Sequence, residues 1–171
     1  MFDLILGGAR SGKSAYAART ALARSGAPVY LATSRASDDD FAARVARHRA
    51  ERGPEWTTVE EPTRLARADL AGRVVVVDCV TLWLTNLCAE ARWDAEAALG
   101  AARSELDRVA AIDASWIFVS NELGMAPHAE TAVTRKFVDA AGFLNQEIAR
   151  RADRVVLMVA GLPLVVKGPQ P

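Results

Sequence analysis

One histidine of this chain lies inside a cluster of arginines. His48 stands between Arg47 and Arg49 in the segment "FAARVARHRAERGPEW". Arg44 and Arg52 lie about one helical turn to either side. Cations this close repel one another, so the pattern favours an anionic ligand. Neutral imidazole is a competent nucleophile near pH 7, and nearby cations help to keep it unprotonated. Two interpretations stay open: a half-buried histidine on an arginine-rich helix, or a nucleophile that attacks phosphorus.

A glycine-rich motif near the N-terminus supplies a phosphate site for that chemistry. "GGARSGKS" (7–14) matches G-x-x-x-x-G-K-[ST] in full, after a strand-like run and before a helical one. Its glycines let successive backbone N–H groups turn toward phosphate oxygens, and the following helix adds its positive N-terminus. Lys13 is placed to reach the β- and γ-phosphates, and Ser14 to ligate Mg²⁺. The predicted phosphate-binding residues are Gly7, Gly8, Ala9, Arg10, Ser11, Gly12, Lys13 and Ser14.

A carboxylate at the end of a buried strand is the candidate second ligand for the metal. "RVVVVDC" (73–79) is a continuous β-branched run, typical of a strand buried on both faces, and it ends in Asp78. An aspartate at this place also caps a following helix, so the strand alone does not decide its role. Beside a P-loop, however, the pattern favours a metal carboxylate.

Two large P-loop classes are excluded by missing motifs. A signalling GTPase needs an Asn-Lys-x-Asp segment to read guanine, and an ABC-type ATPase needs Leu-Ser-Gly-Gly-Gln; the sequence contains neither. What remains is a small kinase-like transferase or an unusual P-loop protein.

The elements that must position these residues alternate between strand and helix. Such alternation predicts an α/β, P-loop NTPase-like fold with a mostly parallel sheet flanked by helices, as one domain over 1–171. Extended segments are predicted at 2–6, 28–33, 56–62, 73–79, 115–122, 154–161 and 162–168. Helices are predicted at 13–26 with Gly26 as C-terminal cap, and at 37–52, 63–72, 81–91, 94–112 and 130–152. In the last helix, Val133, Phe137, Leu144 and Ile148 are expected to form an apolar face.

Composition limits the partners. Twenty-one basic and 21 acidic residues give zero net charge, which argues against a nucleic-acid binder. No apolar run approaches the roughly 18 residues that span a bilayer. The chain starts directly with a strand-like run, so we expect a cytoplasmic protein without a signal peptide. Cys79 and Cys88 lie in segments predicted to be buried or helical, so neither a disulfide nor a cysteine metal site is expected.

Taken together, the motifs resemble those of a known family. The segments are "GGARSGKS", "YLATS" (30–34), "ARVARHRAERGPEWTTVEEP" (43–62), "VVDCVTLWLTN" (76–86), "SNELGM" (120–125) and "GFLNQEIARRADRVVLMVAGLP" (142–163). In this order they resemble the bifunctional adenosylcobinamide kinase/adenosylcobinamide-phosphate guanylyltransferase family of cobalamin biosynthesis, over essentially the whole chain. The P-loop is shared with many families, whereas the arginine/histidine helix and the "NQ…AD" tail are more specific.

The resemblance implies two reactions on a corrinoid. ATP or GTP first phosphorylates adenosylcobinamide, and GMP from GTP is then transferred to the product through a GMP-histidine intermediate, which here matches His48. The family pattern also implies Mg²⁺ held by Ser14 and Asp78, and a homotrimer in which the corrinoid site could lie between subunits. The further nucleotide contacts that it implies are Ala32, Thr33, Ser34, Arg49, Ala50, Glu51, Arg52, Glu60 and Asp78.

Some roles stay open at this point. Glu122, after a predicted strand, is either a general base for the corrinoid hydroxyl or a residue that ends the strand and caps a turn. The segment after it, from Gly124 to Ala129, departs from the usual family pattern of Gly-x-Gly-Ile-Val-Pro. Trp83, Trp93 and Trp116 are expected in the core or in subunit contacts. Two other functions remain possible: a P-loop kinase without guanylyl transfer, and a non-catalytic nucleotide-binding regulatory protein.

Overall fold

The computed structural model describes residues 1–35, 53–125 and 129–169. Its strands are β1 (Phe2–Gly7), β2 (Val29–Ala32), β3 (Thr57–Glu60), β4 (Val74–Asp78), β5 (Ser115–Asn121), β6 (Arg154–Val159) and β7 (Leu162–Lys167). The helices in the described ranges are α1 (Lys13–Arg24), α2 (Val80–Glu90), α3 (Ala95–Ala110) and α4 (Ala132–Arg151), with a short 3₁₀ turn at Ala68–Leu70. The predicted 37–52 helix lies outside the described residues.

The strands form one seven-stranded sheet in the order β3-β2-β4-β5-β1-β6-β7. The first six are parallel, and β7 runs antiparallel to β6. The predicted α/β class with a mostly parallel sheet is therefore confirmed. Parallel strands end at the same edge, so the P-loop after β1 and Asp78 at the end of β4 share one edge of the sheet.

Helices cover both faces of the sheet. Alternate residues of a strand face opposite sides, so Leu4 and Val75 belong to one core and Ile5 and Val76 to the other. The larger core lies against α2, α3 and α4, and the smaller one lies under α1. This double burial explains why the central strands are continuous apolar runs.

Two predicted helix features are wrong. Residues 63–72 form no α-helix, because side chains of α2 and α3 take backbone groups that helical hydrogen bonds would pair: Trp83 donates to the carbonyl of Thr63, and Glu105 accepts from the N–H of Ala66. Gly26 is not the cap of α1. The helix ends at Arg24, and Ser25 adopts an extended conformation and caps it.

The predicted apolar face of α4 is correct except at the start of the helix. Leu144 and Ile148 are fully buried and Phe137 packs, partly buried, against the larger core, whereas Val133 is 58% exposed. Among the tryptophans, Trp83 and Trp116 are core residues as expected, while Trp93 is exposed. The two cysteines are unpaired, as predicted. Within the described ranges, no helix combines the length and apolar character needed to cross a membrane.

Candidate active site

The P-loop connects β1 to α1 through backbone conformations that need glycine. Gly7 has φ of 153°, and a Cβ there would lie 2.6 Å from the carbonyl oxygen of Met158. Gly12, which precedes α1, has φ of 93°, and a Cβ would lie 3.2 Å from the Cα of Gly161. The loop thus folds tightly against β6 and the turn that follows it, and it leads directly into the N-terminus of α1, which attracts anions.

The P-loop lysine is held by its own loop. Lys13 is only 8% exposed, and its Nζ donates a hydrogen bond to the carbonyl oxygen of Gly8 at 2.6 Å. Burial lowers the pKa of Lys13, and the negative charge of Asp78 opposes that shift. An anionic ligand beside this amine would favour its charged form.

Asp78 ends β4 and faces the same cleft as the P-loop. The Tyr30 hydroxyl on β2 donates to its Oδ2 at 2.7 Å, which orients the carboxylate. The described residues contain no cluster of three His, Cys, Asp or Glu side chains that would hold a cation unaided. Ser14 and Asp78 nevertheless provide hard oxygen donors next to a phosphate cradle. This donor set fits Mg²⁺, which commonly takes one or two protein ligands and completes its shell with phosphate and water.

An open cleft of about 660 Å³ collects these groups at the carboxyl edge of the sheet. The predicted site residues that line it are Ala9, Arg10, Ser11, Gly12, Lys13, Ser14, Ala32, Ser34 and Asp78. Gly7 and Gly8 belong to the same loop but do not line the cleft. The lining residues that sequence analysis had not assigned to the nucleotide site include Tyr30, Cys79, Leu82, Val119, Asn121, Glu122 and Leu123.

Two predicted nucleotide contacts do not line this cleft. Thr33 is fully buried, and its hydroxyl bonds both the N–H and the carbonyl of Cys79 at 2.9 Å. Glu60 is exposed at the end of β3, opposite Ala32 in the register. His48, Arg49, Ala50, Glu51 and Arg52 lie outside the described residues.

Tyr30 is the cleft residue whose role was hardest to foresee. It lies within a strand, 48 positions before its hydrogen-bond partner, and nothing in its local sequence marks it. The pairing of β2 with β4 places Tyr30 opposite Val76, two residues before Asp78 on the same face. Knowledge of the strand order is therefore needed to find it.

A parallel sheet with a P-loop at its carboxyl edge defines the class: this is a P-loop NTPase-like protein. Residues 3–166 match the family described as cobinamide kinase / cobinamide phosphate guanyltransferase. A bifunctional adenosylcobalamin biosynthesis protein from Pseudomonas aeruginosa, CobP, is 45% identical, with 98% of both chains covered. The corresponding CobU proteins of Escherichia coli and Salmonella typhimurium are 36% and 35% identical, over 98% of this chain and 100% of each relative.

The chain belongs to the cobinamide kinase / cobinamide phosphate guanyltransferase family, and it is an enzyme of that family. The resemblance recognised from the motifs is thereby confirmed. The match covers the described cleft and the arginine/histidine segment alike.

Proposed function

We propose that this enzyme carries out two successive transfers on one corrinoid. The first moves the γ-phosphate of ATP or GTP to the hydroxyl of adenosylcobinamide. The second moves GMP from GTP to the resulting phosphate, which gives adenosylcobinamide-GDP and pyrophosphate. The observation that carries the proposal is the family match over residues 3–166, which includes the complete P-loop.

For the kinase step, the chain supplies binding and orientation. The P-loop N–H groups and the N-terminus of α1 receive the triphosphate, and the Lys13 ammonium exchanges the Gly8 carbonyl for phosphate oxygens. Ser14 and Asp78 would hold Mg²⁺, which when bound offsets the negative charge of the phosphates. The hydroxyl of Tyr30 keeps the Asp78 carboxylate oriented.

For the guanylyl step, His48 is the proposed nucleophile. A nitrogen of its imidazole attacks the α-phosphorus of GTP, and pyrophosphate leaves with the electrons of the broken bond. The phosphate of adenosylcobinamide phosphate then attacks the same phosphorus and releases the imidazole. The four flanking arginines support this role, because they stabilise charge on the phosphoryl oxygens. Ala32, Ser34, Arg49, Ala50, Glu51, Arg52 and Glu60 remain predicted nucleotide contacts, whereas Thr33 is fully buried and is proposed to position its neighbours.

Labelling with GTP that carries a radioactive α-phosphate tests the second step. The denatured enzyme should retain label that is lost in acid and survives alkali, and His48→Ala should abolish it. The chain contains one other histidine, so His128→Ala is a matched control that should label like the wild type. Kinase activity without any such label would favour a simple kinase, and nucleotide binding without turnover of adenosylcobinamide would favour a regulatory protein.

We propose further that the enzyme is a cytoplasmic homotrimer, as the sequence resemblance implies. Support comes from apolar side chains left exposed on β7, where Leu162 is 71% and Leu164 is 58% exposed. Exposed apolar side chains on an edge strand commonly mark a contact with another chain.

A further inference from the structure

Two carboxylates line the described part of the cleft, and they differ in their surroundings. Asp78 accepts a hydrogen bond from Tyr30, and its charge opposes the lowering of the Lys13 pKa that burial causes. The proposed role of Asp78 is therefore to act near the phosphates and the metal. Glu122, in the loop after β5, borders the same cleft without such a partner among the described cations.

The backbone of Glu122 is fixed to the base of the P-loop. Its N–H donates to the carbonyl oxygen of Gly7 at 3.1 Å, because β5 is the sheet neighbour of β1. The preceding residue, Asn121, is held from the other side: its N–H donates to the Thr81 hydroxyl at 3.3 Å, and its carbonyl accepts from Asn145 at 3.2 Å. Glu122 is thus anchored at a set distance from the phosphate-binding loop.

Only one oxygen of the Glu122 carboxylate makes a hydrogen bond to the described residues. Its Oε1 accepts a hydrogen bond from the N–H of Gly124 at 3.0 Å, whereas its Oε2 has no hydrogen-bond partner in the described part of the chain. A Cβ at position 124 would lie 3.2 Å from Oε1, so the glycine lets the loop close on the carboxylate. One oxygen orients the side chain, and the other remains available to a ligand.

We propose that Glu122 is the general base of the kinase step, an inference that rests on the proposed function. As the corrinoid hydroxyl oxygen attacks the γ-phosphorus, its proton passes to Oε2 of Glu122. The bond from the γ-phosphorus to the bridging oxygen breaks, and its electron pair leaves with the nucleoside diphosphate. The second transfer needs no such base, because its acceptor is a phosphate that is already ionised near pH 7.

The isosteric variant Glu122→Gln separates the two reactions. An amide oxygen can still accept from Gly124, so the loop is preserved, but glutamine cannot take a proton. We expect kcat for phosphorylation of adenosylcobinamide to fall about 10²–10⁴-fold, with KM changed by no more than about threefold. Labelling by α-labelled GTP and transfer of GMP to supplied adenosylcobinamide phosphate should stay at wild-type levels. Glu96→Gln, at an exposed position of α3, is the control and should leave both reactions unchanged.

Each outcome decides between roles. A phosphorylation rate for Glu122→Gln within threefold of wild type would overturn the assignment. Equal loss of labelling and phosphorylation would also overturn it, since a damaged P-loop would explain both. Failure of the proposed two-step function is distinguishable, because it would appear in the wild type as phosphorylation without any His48 adduct.

Discussion

At the scale of single residues, the cleft is governed by how burial and charge act on neighbouring ionisable groups. Lys13 and Asp78 attract each other, while burial disfavours the charge of the lysine. For the thiol of Cys79, next to Asp78, the two effects act in the same direction, because burial and the negative charge of Asp78 both disfavour the thiolate. Burial, and secondarily the negative charge of Asp78, raises the pKa of its thiol from 9.0 to about 11.

The raised pKa of Cys79 predicts that its thiol is alkylated slowly and that it affects the free energy of unfolding over a defined pH range. At pH 8 in metal-free buffer, iodoacetamide should alkylate Cys79 of the native enzyme at least about 100-fold more slowly than in urea, because two pKa units reduce the thiolate about 100-fold. The unfolded thiol ionises near pH 9 and the folded one near 11. This group therefore lowers the free energy of unfolding as pH rises from about 9 to 11. Peptide mass spectrometry measures the alkylation, and equal native and denatured rates would contradict the assignment.

At the scale of elements, the carboxyl ends of β2 and β4 are tied together by side chains rather than by strand pairing alone. The Thr33 hydroxyl satisfies both backbone groups of Cys79, immediately after Asp78. Asn86 of α2 donates to the carbonyls of Thr33 and Pro62 at 2.7 and 2.9 Å. These ties fix the strand ends from which the cleft residues project. Thr33 is thus better explained as a positioning residue than as a lining one.

Removing the Thr33 hydroxyl should lower the stability of the fold and weaken nucleotide binding at the site. Thr33→Val keeps the volume but leaves the N–H of Cys79 without its partner, while the Cys79 carbonyl keeps only the bond from the Trp83 N–H. We therefore expect the free energy of unfolding to fall by about 1–3 kcal/mol. The kinase KM for nucleotide should rise, since Asp78 loses its support. Denaturant unfolding and steady-state kinetics measure the two effects. The control is Thr58→Val on β3, because the Thr58 hydroxyl makes no hydrogen bond to any described residue. Equal stabilities of the two variants would contradict the stabilising role of the Thr33 hydroxyl.

At the scale of the whole molecule, the sheet extends past its helical layer. Leu157 pairs with Leu164 and Val159 with Leu162 across β6 and β7. By strand alternation these residues lie on the face that Val155, a member of the larger core, also occupies. Yet Val159, Leu162 and Leu164 are each more than half exposed. We expect this β6–β7 patch, formed by Val159, Leu162 and Leu164, to make the subunit contact of the proposed trimer.

Light scattering after size-exclusion chromatography should give about 55 kDa, three times the 18.3 kDa chain. The double variant Leu162→Glu/Leu164→Glu should shift the mass toward the monomer, because charges in an apolar contact are poorly solvated. Ala23→Glu on the exposed side of α1 should leave the mass unchanged. A monomeric wild type would refute the trimer, and a trimeric double variant would place the contact elsewhere.

The sequence by itself determined the fold class, the P-loop and the family. These features rest on local patterns: a continuous apolar run predicts a buried strand, and glycines at fixed spacing make one phosphate-binding turn. Helix ends were less predictable. The failure at 63–72 depended on Trp83 and Glu105, which are distant in the chain and bond backbone groups of Thr63 and Ala66 that a helix would pair.

The tertiary structure alone decided how the cleft is assembled. Tyr30 meets Asp78, Thr33 meets Cys79 and Glu122 meets Gly7 across separations of 46 to 115 positions. Such contacts follow from the order of strands in the sheet, which local propensity does not encode. The strand order is fixed by which arrangement buries both faces and satisfies all central backbone groups at once. That is a property of the whole chain, and so the partners of each site residue became visible only in the folded molecule.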